Sequence, residues 1–137
     1  MRVLLPIDAD ESRAVAAAET VTTLPNAADT VHVTILNAEK EVEAVSASVN
    51  RSKNWKDDFP ASVEKAGAVL EDAGISVEKR REHADPSEAI VNVADEIDAD
   101  RIIMAGRKRT PVGKVLFGSV TQSVLLDADI PVTVISE

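Results

Sequence analysis

The chain contains no cysteine, which excludes disulfides, thiolate nucleophiles and thiolate metal sites. It has no tyrosine, one tryptophan and two phenylalanines, so aromatic side chains make up only 2% of it. Base-stacking platforms and aromatic peptide grooves need more than that. Positive charge is also scarce: 15 Lys and Arg stand against 24 Asp and Glu, for a formal net charge of -9. A negative surface repels nucleic-acid phosphate, so no nucleic-acid partner is expected. No apolar run approaches the roughly 18 residues of a membrane span, so no membrane partner is expected either. The opening MRVLLPIDADES lacks the long apolar stretch of a secretory signal, and acids arrive by Asp8. Together with the missing cysteine this points to a cytoplasmic protein. An acidic surface suits high salt as well as an ordinary cytosol, and charge alone leaves both open.

At 137 residues the chain is expected to form a single domain, 1–137, with no internal repeat and no long linker. Residues 2–7 (RVLLPI) form a short, uniformly apolar run, the mark of a strand covered on both faces. A helix opens at 8–12, with Val15, Ala18 and Val21 as its apolar face, and ends at Pro25 and Asn26. Residues 31–36 (VHVTIL) are the second strand. The stretch 39–60 is polar and hard to read; its early part, 39–49, reads as a weak helix or a mobile loop. Pro60 suits a first helical position, Val63, Ala66, Leu70 and Ala73 recur at helical spacing, and Gly74 is the natural terminator. Residues 75–81 form a third strand, placed near an edge by the charges in its second half. Asp85-Pro86-Ser87-Glu88 is a strong helix start, followed by the stripe Ile90, Val93, Ala94 and Ile97. A fourth strand (100–105), a glycine- and base-containing loop, a helix at about 119–126 and a fifth strand (131–136) complete the chain.

Strands alternating with helices imply a parallel sheet with right-handed crossovers and helices on both faces. Ligands of such sheets bind beyond the carboxyl ends of the strands, where the strand order reverses. That directs attention to residues 6–10, 37–38 and 105–121.

Two nucleotide motifs fail there. For a P-loop, the first glycine would fall on Lys108 and the hydroxyl on Val115. After the first strand, Asp8-Ala9-Asp10 stands where a glycine-rich dinucleotide turn would be. Gly118-Ser119-Val120-Thr121 is more informative, since glycine admits a ligand close to the backbone and the first amides of the following helix favour an anion. The same residues also suit a plain helix start, with Ser119 satisfying its own turn. Arg107, Lys108, Arg109 and Lys114 put four cations into one loop, either a solvated surface or a phosphate contact. Asp8 can accept from a ribose hydroxyl or an adenine amine, or can cap the first helix. His32 and His83 show neither metal-site spacing nor a catalytic arrangement, so no catalytic residue and no metal ligand is expected.

Five segments in order resemble the universal stress protein family: 3–8 (VLLPID), 85–90 (DPSEAI), 99–104 (ADRIIM), 118–121 (GSVT) and 129–134 (DIPVTV). The resemblance implies an α/β, Rossmann-like fold with a five-stranded parallel sheet of order 3-2-1-4-5. It implies a stress-response binding protein and not an enzyme, with slow ATP hydrolysis as a poorer reading. It also implies a homodimer paired through Pro131, Val132, Thr133, Val134 and Ile135. One branch of the family binds ATP through a pattern Gly-x2-Gly-x9-Gly-Ser/Thr. Carried onto this chain, the site comprises Pro6, Ile7, Asp8, Ala38, Met104, Ala105, Arg107, Lys108, Gly118, Ser119, Val120 and Thr121. The ligand is then ATP or AMP, with Mg only where ATP is bound. The chain departs from the pattern: Ala105 stands at the first glycine and Lys108 at the second, and Gly106 fits only if the loop is one residue shorter. Lys108 either blocks the phosphate cradle or replaces lost amide contacts with its ammonium. The alternative function is a dimeric interaction module that binds no nucleotide.

Overall fold

The computed structural model describes residues 1–40, 58–106, 108–109 and 116–136, with the side chains of Lys108, Arg109 and Leu116 excepted. The elements are β1 (Arg2–Pro6), α1 (Glu11–Thr22), α2 (Ala27–Thr30), β2 (His32–Glu39), α3 (Ala61–Asp72), β3 (Ser76–His83), α4 (Pro86–Glu96), β4 (Arg101–Gly106), β5 (Lys108–Arg109), β6 (Leu116–Phe117), α5 (Ser119–Asp127) and β7 (Val132–Ser136). The five long strands pair in parallel in the order β3-β2-β1-β4-β7. This is the expected 3-2-1-4-5 sheet, with β7 as the fifth main strand and β3 and β7 at its edges.

β1 is central because its sequence is apolar on both sides. Val3 and Leu5 pack with α1 and α3, while Leu4 packs with α4 and α5 on the other face. All three are fully buried. α1 buries Ala14, Ala17, Ala18 and Val21 against α3, whose buried stripe is Val63, Ala66 and Leu70. Val15 is only half-buried and Ala73 is exposed, contrary to the apolar stripes read from spacing. Two small side chains, Ala14 and Ala17, let α1 sit close to its neighbours, and that close approach outranks the larger Val15. Pro60 precedes α3 at its cap position and not inside it. Gly74, at φ +77, ends α3 in the left-handed region as expected.

The second and third strands both run longer than the sequence reading has them. β2 continues through Asn37 to Glu39, and β3 through Arg81 to His83. Asn37 is fully buried, and its amide donates to the Ile7 carbonyl at 3.0 Å, which ties the ends of β2 and β1 together. On β3, Arg80 pairs with Glu82 at 2.8 Å and with Glu96 of α4, while Lys79 reaches Glu64 of α3 at 3.1 Å. Hydrogen bonding to the Arg80 guanidinium holds the Glu96 carboxyl below its ordinary value. These charges guard the edge against pairing with another strand. The expected helix or loop at 39–49 lies, from residue 41 onward, outside the described residues. α2 and the antiparallel β5–β6 hairpin were not foreseen.

α4 starts as its sequence dictates. Asp85 accepts from the Ser87 hydroxyl at 2.6 Å and from the Glu88 amide at 3.3 Å, and Pro86 fills the first turn. The Ser87 hydroxyl, the Glu88 amide and the Lys40 ammonium hold the Asp85 carboxyl below its ordinary value. A lowered folded value means that the cap's contribution is present above the unfolded aspartate value and is lost as pH falls through the folded one. Asp85→Asn keeps a capping oxygen but cannot titrate. Its deficit in thermal midpoint against the parent should shrink between about pH 6 and about pH 3. A deficit that does not change with pH would contradict this.

Candidate functional site

The carboxyl ends of β1, β2 and β4 open into a cleft of about 290 Å³. It lies where the chain order reverses, because β2 departs to one side of β1 and β4 to the other. Pro6 and Ile7 from the end of β1, Leu36 and Ala38 from β2, and Met104 and Ala105 from β4 form its floor. Asp8, Arg13 and Ala14 border it from the start of α1, Pro86 and Ile90 from α4, and Gly118 to Thr121 from the start of α5.

Ten of the twelve residues proposed from sequence therefore meet around one cavity: Pro6, Ile7, Asp8, Ala38, Met104, Ala105, Gly118, Ser119, Val120 and Thr121. Arg107 lies outside the described residues, and so does the side chain of Lys108. The backbone of Lys108 is strand, paired with Phe117 across the hairpin. An extended residue does not need glycine.

The start of α5 is open. Gly118 is its cap residue and no side chain caps the helix there. Its φ of -64 is one that any residue adopts. A Cβ built on Gly118 would meet nothing within 4 Å. Glycine here is thus not demanded by backbone geometry or by packing; its effect is to leave the amides of Ser119, Val120 and Thr121 approachable. The first amides of a helix have no partner inside it and carry partial positive charge, so they suit an anion.

Gly106 is a different case. A Cβ there would lie 2.8 Å from Phe117 Cδ1, 3.0 Å from Val134 Cγ1 and 3.3 Å from Thr121 Oγ1. It is a packing glycine that seats the hairpin and the first turn of α5 against β4 and β7. Gly106→Ala should cost about 1–3 kcal/mol of stability by overpacking. Urea denaturation checks this, and a midpoint equal to the parent's would contradict it. Ala105, its neighbour, lines the cleft instead.

Asp8 does not cap α1. Asp10 does, accepting from the Arg13 amide at 2.8 Å. Asp8 Oδ1 accepts from the Asp10 amide and Oδ2 from Arg13 Nη2, each at 2.9 Å. The buried Ser62 hydroxyl at the start of α3 donates to the Asp8 carbonyl at 2.5 Å. The Asp8 side chain nevertheless remains 61% exposed. Arg13, Ala14, Leu36, Pro86 and Ile90 are cleft residues that the sequence reading missed. The signal for Arg13 was its spacing from two acids, five and three residues upstream.

His32 contacts Ser76 at 2.9 Å and Glu78 at 3.7 Å, at the opposite ends of the strands from the cleft. Among the described residues no group of three His, Asp or Glu side chains could hold a metal ion. Among them, too, no helix is long and apolar enough to cross a membrane.

Known proteins place this geometry in context. A universal stress protein of Mycolicibacterium smegmatis is 39% identical over 66 residues, 47% of this chain and 51% of that protein. The chain's match thus spans about half the length of that relative. The solved structure of MJ0577, a universal stress protein of Methanocaldococcus jannaschii, superposes with a TM-score of 0.76 at 27% identity, covering 99% of this chain and 95% of that one. A universal stress protein from Archaeoglobus fulgidus, solved in complex with dAMP, shares the fold with a TM-score of 0.65 at 20% identity, over 98% and 96% of the two chains. The Usp model of the universal stress protein family matches residues 1–136, and the chain belongs to that family.

Proposed function

We propose that the chain is a stress-response protein that binds an adenine nucleotide, AMP or ATP, in this cleft and catalyses no reaction there. The observation that carries the reading is the uncapped start of α5 facing a cavity at the switch point of the sheet. Phosphate lies against the amides of Ser119 and Val120. The base lies on the apolar floor of Pro6, Ile7 and Ala38, within reach of Asp8. Mg enters only with ATP. The dAMP complex of the A. fulgidus protein supports an adenine ligand for this fold. The protein works as a single cytoplasmic domain, 1–137, that dimerises through β7.

A second reading, a dimeric interaction module without nucleotide, is favoured by Ala105 and Lys108 at two glycine positions of the ATP pattern. Mass spectrometry of small molecules released from the purified protein separates the two. Adenine nucleotide recovered near one per chain supports the first. None recovered, together with no thermal shift on adding AMP or ATP, contradicts it.

A further inference from the structure

Resting on that nucleotide reading, we infer that Arg13 is a positioning residue that sets the base preference of the cleft by holding the carboxylate of Asp8. An aspartate with 61% of its side chain exposed would ordinarily be solvated and mobile. Asp8 is instead fixed at three points. Its two carboxylate oxygens accept from the Asp10 amide and from Arg13 Nη2, and its carbonyl accepts from Ser62. Capping does not call for the Arg13 contact. α1 needs one side-chain cap, and Asp10 supplies it.

The guanidinium is well placed for the task. Arg13 lines the cleft, is only 17% exposed, and bridges Asp8 at 2.9 Å and Asp10 at 3.3 Å. A planar fork between two carboxylates fixes orientation as well as charge. It does two things at once. It holds the Asp8 carboxylate in one orientation at the mouth, with oxygen lone pairs left over for a ligand. It also offsets two negative charges beside a site that must admit an anionic nucleotide. An acceptor held there favours a base presenting an amine over one presenting a carbonyl at the same place. The chemistry therefore selects adenine over hypoxanthine, the selection rests on Asp8, and Arg13 acts through it.

Calorimetric titrations with AMP and IMP test this on the parent, Arg13→Met, Arg13→Lys, Asp8→Ala and the Asp8→Ala/Arg13→Met double variant. The parent should prefer AMP. Arg13→Met should lose about tenfold in AMP affinity, the scale of one charged hydrogen bond, and much of the preference over IMP. Arg13→Lys should recover part of both. The double variant should bind AMP no more weakly than Asp8→Ala, because Arg13 then has no Asp8 carboxylate to position. A merely structural role would lower both affinities and leave their ratio unchanged. A parent that binds AMP while Arg13→Met keeps its affinity and its AMP:IMP ratio overturns the role of Arg13 alone. So does a double variant in which the two losses simply add. A parent that binds no AMP overturns the nucleotide reading and this inference together.

Discussion

Gly118→Val is expected to remove nucleotide binding, lowering affinity by at least ~100-fold, or about 2.7 kcal/mol, while the fold stays intact. The two halves of that expectation come from the same geometry. Gly118 has a φ of -64, which valine adopts without strain, and a Cβ at this position meets no atom within 4 Å. The branched side chain then occupies the approach to the α5 amides that a phosphate would use. A companion substitution sharpens the point. Gly118→Asp supplies the side-chain cap that α5 lacks, and should stabilise the protein by a few tenths of a kcal/mol. Its carboxylate takes the same amides and repels the phosphate, so binding should fall as stability rises. Circular dichroism and calorimetry on the same samples read both quantities. Loss of binding accompanied by loss of helix would contradict this account of Gly118.

The second large effect is expected at β7. The Pro131 carbonyl accepts from the Ile102 amide, so it faces β4. Alternation along the strand then turns the backbone groups of Thr133 and Ile135 toward β4, and those of Val132, Val134 and Ser136 outward. Outward groups on an apolar edge invite a partner strand. Leu125 and Leu126 of α5, which packs on β7, are exposed large apolar side chains on the same element pair. Val134→Pro removes one outward amide without taking a bond from the β4 ladder. A twofold contact loses that donor twice, about 2–3 kcal/mol, so the dimer should weaken by roughly 30- to 150-fold. Sedimentation at micromolar concentration checks it. A parent that is already monomeric, or a variant as dimeric as the parent, would contradict pairing through β7.

The parts of the fold legible in the sequence are those where one physical demand dominates. β1 reads as central because Val3, Leu4 and Leu5 leave no polar side for solvent. The start of α4 reads correctly because Asp85, Pro86 and Ser87 each satisfy a different need of a first turn. What escaped depended on context. Asn37 looks like the end of β2, but its amide finds the Ile7 carbonyl, so a polar residue continues the strand at full burial. α2 follows Asn26, which adopts φ 54, and four residues give no periodicity to detect. The β5–β6 hairpin hides inside a loop whose charges suggest a solvated surface or a phosphate contact, not strand pairing.

The candidate site shows the same division. The floor residues follow from strand ends, and the 118–121 segment from helix-start chemistry. Arg13 did not follow, because an arginine in a first turn ordinarily points to water. Its significance depends on which acid caps the helix. Asp8 and Asp10 are both plausible caps by residue type, and the backbone decides for Asp10, leaving Asp8 to the cleft. Lys108 stands at a glycine position of the ATP pattern, and its backbone there is extended, a conformation that any residue adopts.

The most direct measurement is a calorimetric titration of nucleotide-stripped protein with AMP, run in parallel on the parent and on folded Gly118→Val. The account predicts saturable binding of one nucleotide per chain in the parent and none in the variant. No saturable heat in the parent, or the same affinity in both, would contradict an adenine-nucleotide site at the start of α5.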